Sequence, residues 1–140
     1  MTIEIHIGFG GKIAKVTSSG ELVVAPLHYD ETSFKELAEP NIGYNFYAPL
    51  PGKQFVITAI LMKADKQVSN TDDATVVIYE ADSTDSTTVD KTLIQFAMVR
   101  DDIIIPTPLR ILVAEGKFIN AKTDDDDIHM TITGYYIDKL

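Results

Sequence analysis

Gln54-Phe55-Val56-Ile57-Thr58-Ala59-Ile60-Leu61-Met62-Lys63-Ala64 is the longest apolar stretch of the chain, and its reading decides the fold. Its apolar residues fall on both faces of an extended chain, and β-branched residues recur through it. Such a segment belongs at the centre of a sandwich rather than on a sheet with one wet face. It is far too short in uninterrupted apolar residues to cross a bilayer as a helix. The turn Pro49-Leu50-Pro51-Gly52 precedes it and the polar segment Asp65–Asp73 follows it, so it stands as one strand between two breaks.

Outward from this strand the pattern repeats. Tyr44–Ala48 precedes the turn; Ala74–Ala81, Thr92–Arg100, Ile103–Ile105, Arg110–Ala114, Lys117–Asn120 and Ile128–Ile137 follow. Between them lie loops rich in Ser, Thr and Asp, notably Asp82–Asp90 and the run Asp124–Asp127. Short strands with turn signals every ~8–12 residues are the signature of a sandwich or barrel. Composition agrees, since the 140 residues include 17 Ile, 10 Val and 14 Thr. These stiff side chains favour pleated sheet over helix. One helix is expected, from Phe34 to Glu39, because Ser33-Phe34-Lys35-Glu36 has the form of a capping box and Pro40 ends it.

The first residues form a separate unit in the sequence. Thr2–Ile7 alternates strictly, with Ile3, Ile5 and Ile7 on one side and Thr2, Glu4 and His6 on the other. Gly8-Phe9-Gly10-Gly11 makes a joint, and Ile13–Ser18 with Leu22–Ala25 reads as a hairpin around Ser19-Gly20. The division is therefore an arm or first strand, 1–11, and one β-sandwich domain, 12–140. Ile3, Ile5 and Ile7 are the candidate partner-binding residues. An alternating strand beyond a glycine joint can add to a neighbour's sheet edge. It can equally be the first strand of its own sandwich.

Chemistry is sparse. Gly8-Phe9-Gly10-Gly11-Lys12-Ile13 lacks the third glycine of a dinucleotide fingerprint and the Ser or Thr of a P-loop. His6, His28 and His129 lie far apart, with no paired spacing for a metal. No G-x-S-x-G elbow is present, and no acidic loop follows the calcium-binding spacing of an EF-hand. The run Asp124–Asp127 reads as a solvated turn. Absence of cysteine removes disulfides and thiol chemistry. With 12 Lys plus Arg against 21 Asp plus Glu, the net charge of −9 disfavours nucleic acid and anionic membrane as partners. A non-enzymatic chain without a cofactor, made in a reducing cytoplasm, is the expectation.

A family resemblance joins this reading. Ser18-Ser19-Gly20-Glu21-Leu22-Val23-Val24-Ala25-Pro26-Leu27, Gly52-Lys53-Gln54-Phe55-Val56-Ile57-Thr58, Ala74-Thr75-Val76-Val77-Ile78-Tyr79-Glu80-Ala81, Gly116-Lys117-Phe118-Ile119-Asn120-Ala121 and Ile132-Thr133-Gly134-Tyr135-Tyr136-Ile137 follow one another in order. The set resembles the small virion proteins of tailed bacteriophages, above all jelly-roll capsid decoration (cement) proteins. The resemblance implies an antiparallel jelly-roll-like β-sandwich that binds and stabilises the major capsid protein shell, as a homotrimer on the virion. It brings no catalytic residues with it. The alternative is a carbohydrate- or receptor-binding sandwich on a tail or spike. There Tyr44, Phe46, Tyr47, Tyr135 and Tyr136 would have to supply the stacking rings that tryptophan usually provides, and Tyr44 and Phe46 read as core.

Overall fold

The computed structural model describes residues 3–7, 12–16, 22–23, 30–65, 73–106, 108–125 and 127–139, and for the residues before 30 in its strands it describes the backbone alone. Three strands come first: β1 (Ile3–Ile7), β2 (Lys12–Val16) and β3 (Leu22–Val23). They form an antiparallel sheet in the order β1-β2-β3, with Ile3 opposite Val16 and Lys15 opposite Val23. The glycine joint 8–11 lies outside the described residues.

Nine strands follow: β4 (Glu31–Leu37), β5 (Tyr44–Tyr47), β6 (Lys53–Ala64), β7 (Ala74–Ala81), β8 (Lys91–Met98), β9 (Ile103–Ile104), β10 (Ile111–Leu112), β11 (Phe118–Thr123) and β12 (Ile128–Asp138). One sheet runs β10-β6-β12-β4, with β9 also on β6; the other runs β5-β11-β7-β8. Every pairing is antiparallel. β9 and β10 occupy one edge of β6 in turn, at Met62–Lys63 and at Val56–Ile57, so they count as one interrupted strand. The pairing is then first with last, second with seventh, third with sixth and fourth with fifth. That is a long hairpin with its tip between β7 and β8, rolled until β6 meets β12 on one side and β7 meets β11 on the other. This is the jelly roll.

The two sheets pack face to face around one core. Ile57, Ile60, Met62 and Ala64 of β6, Ile128, Met130 and Ile132 of β12, and Leu37 of β4 line one side. Ala74, Val76 and Ile78 of β7, Ile119 and Ala121 of β11, and Met98 of β8 line the other. Burying each large aliphatic side chain contributes roughly 1.5–3 kcal/mol, so these strands hold together without any crosslink. Between the sheets Tyr47 acts as a bolt. Its ring stacks on Phe55 at 4.1 Å between centroids. Its hydroxyl donates across the sandwich to the Ile132 carbonyl at 2.6 Å, with the Glu31 carbonyl 2.9 Å away. Burial, with Glu31 nearby, pushes this phenol above the ordinary tyrosine range.

One local irregularity shapes β12. The register slips at Thr133/Gly134, so that Thr133 faces Ala59 and Gly134 faces Ile57, leaving Thr58 as a bulge. The Thr58 hydroxyl donates to the Thr133 carbonyl at 3.2 Å. Backbones approach so closely here that a Cβ on Gly134 would overlap the Val56 carbonyl and lie 2.5 Å from Cε1 of Phe55. Glycine is a steric requirement at this position.

Most expected strands are found within a residue or two, and Ala74–Ala81 over the same span. The expected helix is not. Residues 31–37 are strand β4, paired along seven consecutive positions of β12, from Glu31 opposite Gly134 to Leu37 opposite Ile128. A six-residue helix has too few hydrogen bonds to stand alone. The open edge of β12 offers a full ladder and a place for Leu37 in the core, and these override the local capping signal.

Candidate functional site

Alternation along each strand sends one side chain into the core and the next outward, so each sheet presents an outer face. The two outer faces are built differently.

On the β5-β11-β7-β8 sheet, Ile78 and Ala121 point inward, which turns their neighbours Tyr79 and Asn120 outward as a cross-strand pair. Both are nevertheless fully buried, because the loop 82–90 folds back across them. The Tyr79 hydroxyl donates to the Ser86 carbonyl at 2.6 Å. Asn120 Nδ2 donates to the carbonyls of Ser83 at 2.9 Å and Ser86 at 3.2 Å, while its Oδ1 accepts from Asn45 Nδ2 at 3.0 Å. Lys122 Nζ donates to the Thr87 carbonyl at 2.8 Å. Gly43 completes the fit, since a Cβ there would lie 2.6 Å from the Ser86 carbonyl. Burial raises the Tyr79 phenol, an effect that the Asn120 hydrogen bond partly offsets.

The two ends of this loop are closed by a single cation. Lys117 Nζ lies 2.5 Å from Asp82 Oδ1 and 2.8 Å from Asp90 Oδ2. Its hydrogen bond and its charge hold the Asp82 carboxyl below the usual carboxylate range, and the two carboxylates hold Lys117 above the usual ammonium range. Beneath, the buried Glu80 carboxylate accepts from the Ala114 amide at 2.9 Å. Nearby, Asp124 bonds the Thr75 backbone at both groups, accepting from its amide at 2.6 Å and donating its own amide to its carbonyl at 3.2 Å. One member of the aspartate run is thus a structural tie, where the sequence suggests only a solvated turn.

The outer face of the β4-β12-β6 sheet carries no such strap among the described residues. Register sets Thr131 between Phe34 and Leu61, and His129 between Glu36 and Lys63. Lys63 in turn faces Ile103, and Ile105 follows just past the end of β9. Adjacent rows therefore carry Phe34, Leu61 and Ile103, which together with Ile105 are 46–62% exposed. The Phe34 ring meets the His129 ring edge-on, at 6.0 Å between centroids. His129 Nε2 lies 3.8 Å from both Glu36 Oε1 and Asp65 Oδ2. This is a contiguous apolar band with a polar border, the form taken by surfaces that meet a partner.

The sequence does not single out these four residues. Phe34 is hidden by the helix expectation, and Leu61 by the assumption that both faces of its strand are covered. A usable signal exists in Ile103-Ile104-Ile105: three consecutive apolar residues in an extended chain must turn at least one outward. The sequence candidates Ile3, Ile5 and Ile7 lie on β1, whose backbone pairs with β2; their side chains lie outside the described residues. His129 and Thr131 share the outward face, as the alternation predicts, and neighbouring Tyr135 lies 3.4 Å from an Arg110 guanidinium nitrogen. Phe46, Tyr47, Tyr44 and Tyr136 are committed to the core or packed against it. Among the described residues no group of three or more His, Asp or Glu side chains converges on a metal-sized site, and no helix is long and apolar enough to cross a membrane. No protein-family model matches the chain, and no curated protein matches it.

Proposed function

We propose that the protein is a structural component of a virion: a jelly-roll decoration (cement) protein that binds and stabilises the major capsid protein shell of a tailed bacteriophage. The observation that carries this reading is the exposed apolar band Phe34–Leu61–Ile103–Ile105, on an outer face of the sandwich that no strap crosses among the described residues. A patch of this kind binds by surface complementarity, which is what attachment to a repeating shell demands. The buried polar side chains Asn120 and Glu80 support the same reading, because they tie loops to strands. The chain acts as a non-enzymatic, cofactor-free module, made in the host cytoplasm and incorporated in the particle, with neither nucleic acid nor membrane as its target. By the resemblance stated above it is a homotrimer, since closed rings satisfy repeated contacts on a symmetric lattice.

Copy number in purified particles tests the proposal. Hundreds of copies per particle, measured by gel densitometry against the major capsid protein, are expected. Absence from particles overturns it, and a few copies per particle transfers the protein to the tail.

A further inference from the structure

This inference rests on the docking reading above and names the chemistry of the surface that meets the band. We infer that the outer face of the β4-β12-β6 sheet takes a partner surface whose apolar centre is bordered by lysine or arginine, and that it is not a two-fold contact of this face with itself.

Glu36 stands beside Phe34 on β4, and Asp65 stands across His129 from it, with side chains 51% and 40% exposed. Asp101 and Asp102 lie in the turn that leads into Ile103, fixed there by backbone hydrogen bonds to Ala64 at 3.0 Å and 2.9 Å. Asp30 closes the other end, its carboxylate 3.4 Å from the Thr58 hydroxyl. Against these acids the border sets Lys63 on the face, Arg100 in the turn and Arg110 beside Tyr135. A two-fold contact would press the same patch against itself. The acidic borders would then meet each other, in a chain already at −9. Like charges at a rim oppose association, whereas a basic rim on the partner steers it. The apolar centre supplies affinity, and the border selects who approaches.

Shells of the major capsid protein freed of this protein provide the probe, with binding measured by sedimentation of shells with labelled protein. Phe34→Ser and Leu61→Ser are each expected to lower affinity by about tenfold or more, as for central apolar contacts. Both sites are exposed, so melting temperature and the oligomeric state by analytical ultracentrifugation stay unchanged. Raising sodium chloride from about 0.05 M to about 0.5 M should weaken wild-type binding several-fold, and Glu36→Lys should flatten that dependence. Wild-type affinity in the serine variants overturns the assignment of the face. Dissociation of the free oligomer by these variants overturns it too, because a second copy would then cover the band. Affinity indifferent to salt overturns the basic border. If the wild-type protein binds no shell, the shell reading itself fails and this inference with it, an outcome distinct from the variants behaving as wild type.

Discussion

The two outer faces of this sandwich begin from the same alternation and end in opposite states. On the β5-β11-β7-β8 side, polar groups of the strands reach out and draw the 82–90 loop down over Tyr79 and Asn120. On the β4-β12-β6 side, apolar groups reach out and are left exposed. An asparagine and a tyrosine hydroxyl can hold a loop because loop carbonyls need donors once water is excluded. A phenylalanine and a leucine give a polar loop nothing to bond, and such a face is covered only by another apolar surface. The chemistry of the outward residues therefore decides whether a face is closed by its own chain or left for another.

That contrast is open to attack at single residues. The largest effect is expected at Gly134, where the two central strands of the bare-faced sheet approach too closely for any side chain. Gly134→Ala must move the β6 backbone or the Phe55 ring, and a loss of at least about 3 kcal/mol is expected in chemical denaturation. Recovery near wild-type stability would mean that the bulge at Thr58 yields easily. Next comes Asn120→Ala. It deletes two donations to the strap and one acceptor of the Asn45 amide, which keeps the Tyr47 carbonyl, for an expected loss of about 2–3 kcal/mol. It should also release the loop, visible as faster amide exchange across residues 83–88 than in Phe34→Ser, a change on the bare face. Equal exchange in the two variants would erase the distinction between the faces.

How far this was legible in the sequence follows the same division. The central strand Gln54–Ala64 and the strand Ala74–Ala81 announce themselves through apolar density and β-branching, because their environment is set by burial along the whole strand. The sandwich is accordingly readable. β4 is not, since Glu31–Leu37 owes its conformation to seven partners on β12, nearly a hundred residues away, and its own residues spell a local helix start. The strap is illegible for a related reason. Asp82–Asp90 looks like any solvated loop, and only the register that pairs Tyr79 with Asn120 gives it something to hold. The candidate face depends on β4 and on its pairing with β12, so it surfaces only once the register is known.

Smaller effects concern the phenols. Tyr47 and Tyr79 are raised by burial, as is Tyr136. A raised phenol favours the folded state fully below its ordinary value near 10, and that contribution is lost as pH climbs from there toward the folded value. Stability should thus decline above about pH 10 with a slope of at most about 1.4 kcal/mol per pH unit for each phenol. Tyr47→Phe loses the bolt between sheets, about 1–2 kcal/mol at neutral pH. Tyr79→Phe loses less, about 0.5–1.5 kcal/mol, because Asn120 still serves the Ser86 carbonyl. Each should make the alkaline decline shallower in urea titrations at pH 8 to 11. An unchanged slope in Tyr79→Phe would show that strap closure does not shield this phenol.

The smallest expected effect lies at the mouth of the strap, where Lys117 joins Asp82 to Asp90. The Lys117 hydrogen bond, and then its charge, lower the Asp82 carboxyl. A carboxyl that is lowered on folding contributes stability above its ordinary value near 4 and loses it as pH falls through the folded value. Asp82 is highly exposed, so water and salt screen the pair, and Asp90 keeps hold of Lys117 when Asp82 is gone. Asp82→Asn should therefore lower the melting temperature at pH 7 by less than Tyr79→Phe does. The difference from wild type should close as pH falls to about 2, and it should also close in high salt. A gap that persists at pH 2 would mean that the Asp82 side chain holds the strap through its shape and not its charge. A gap absent at pH 7 would mean that Tyr79, Asn120 and Lys122 close the loop without the ion pair.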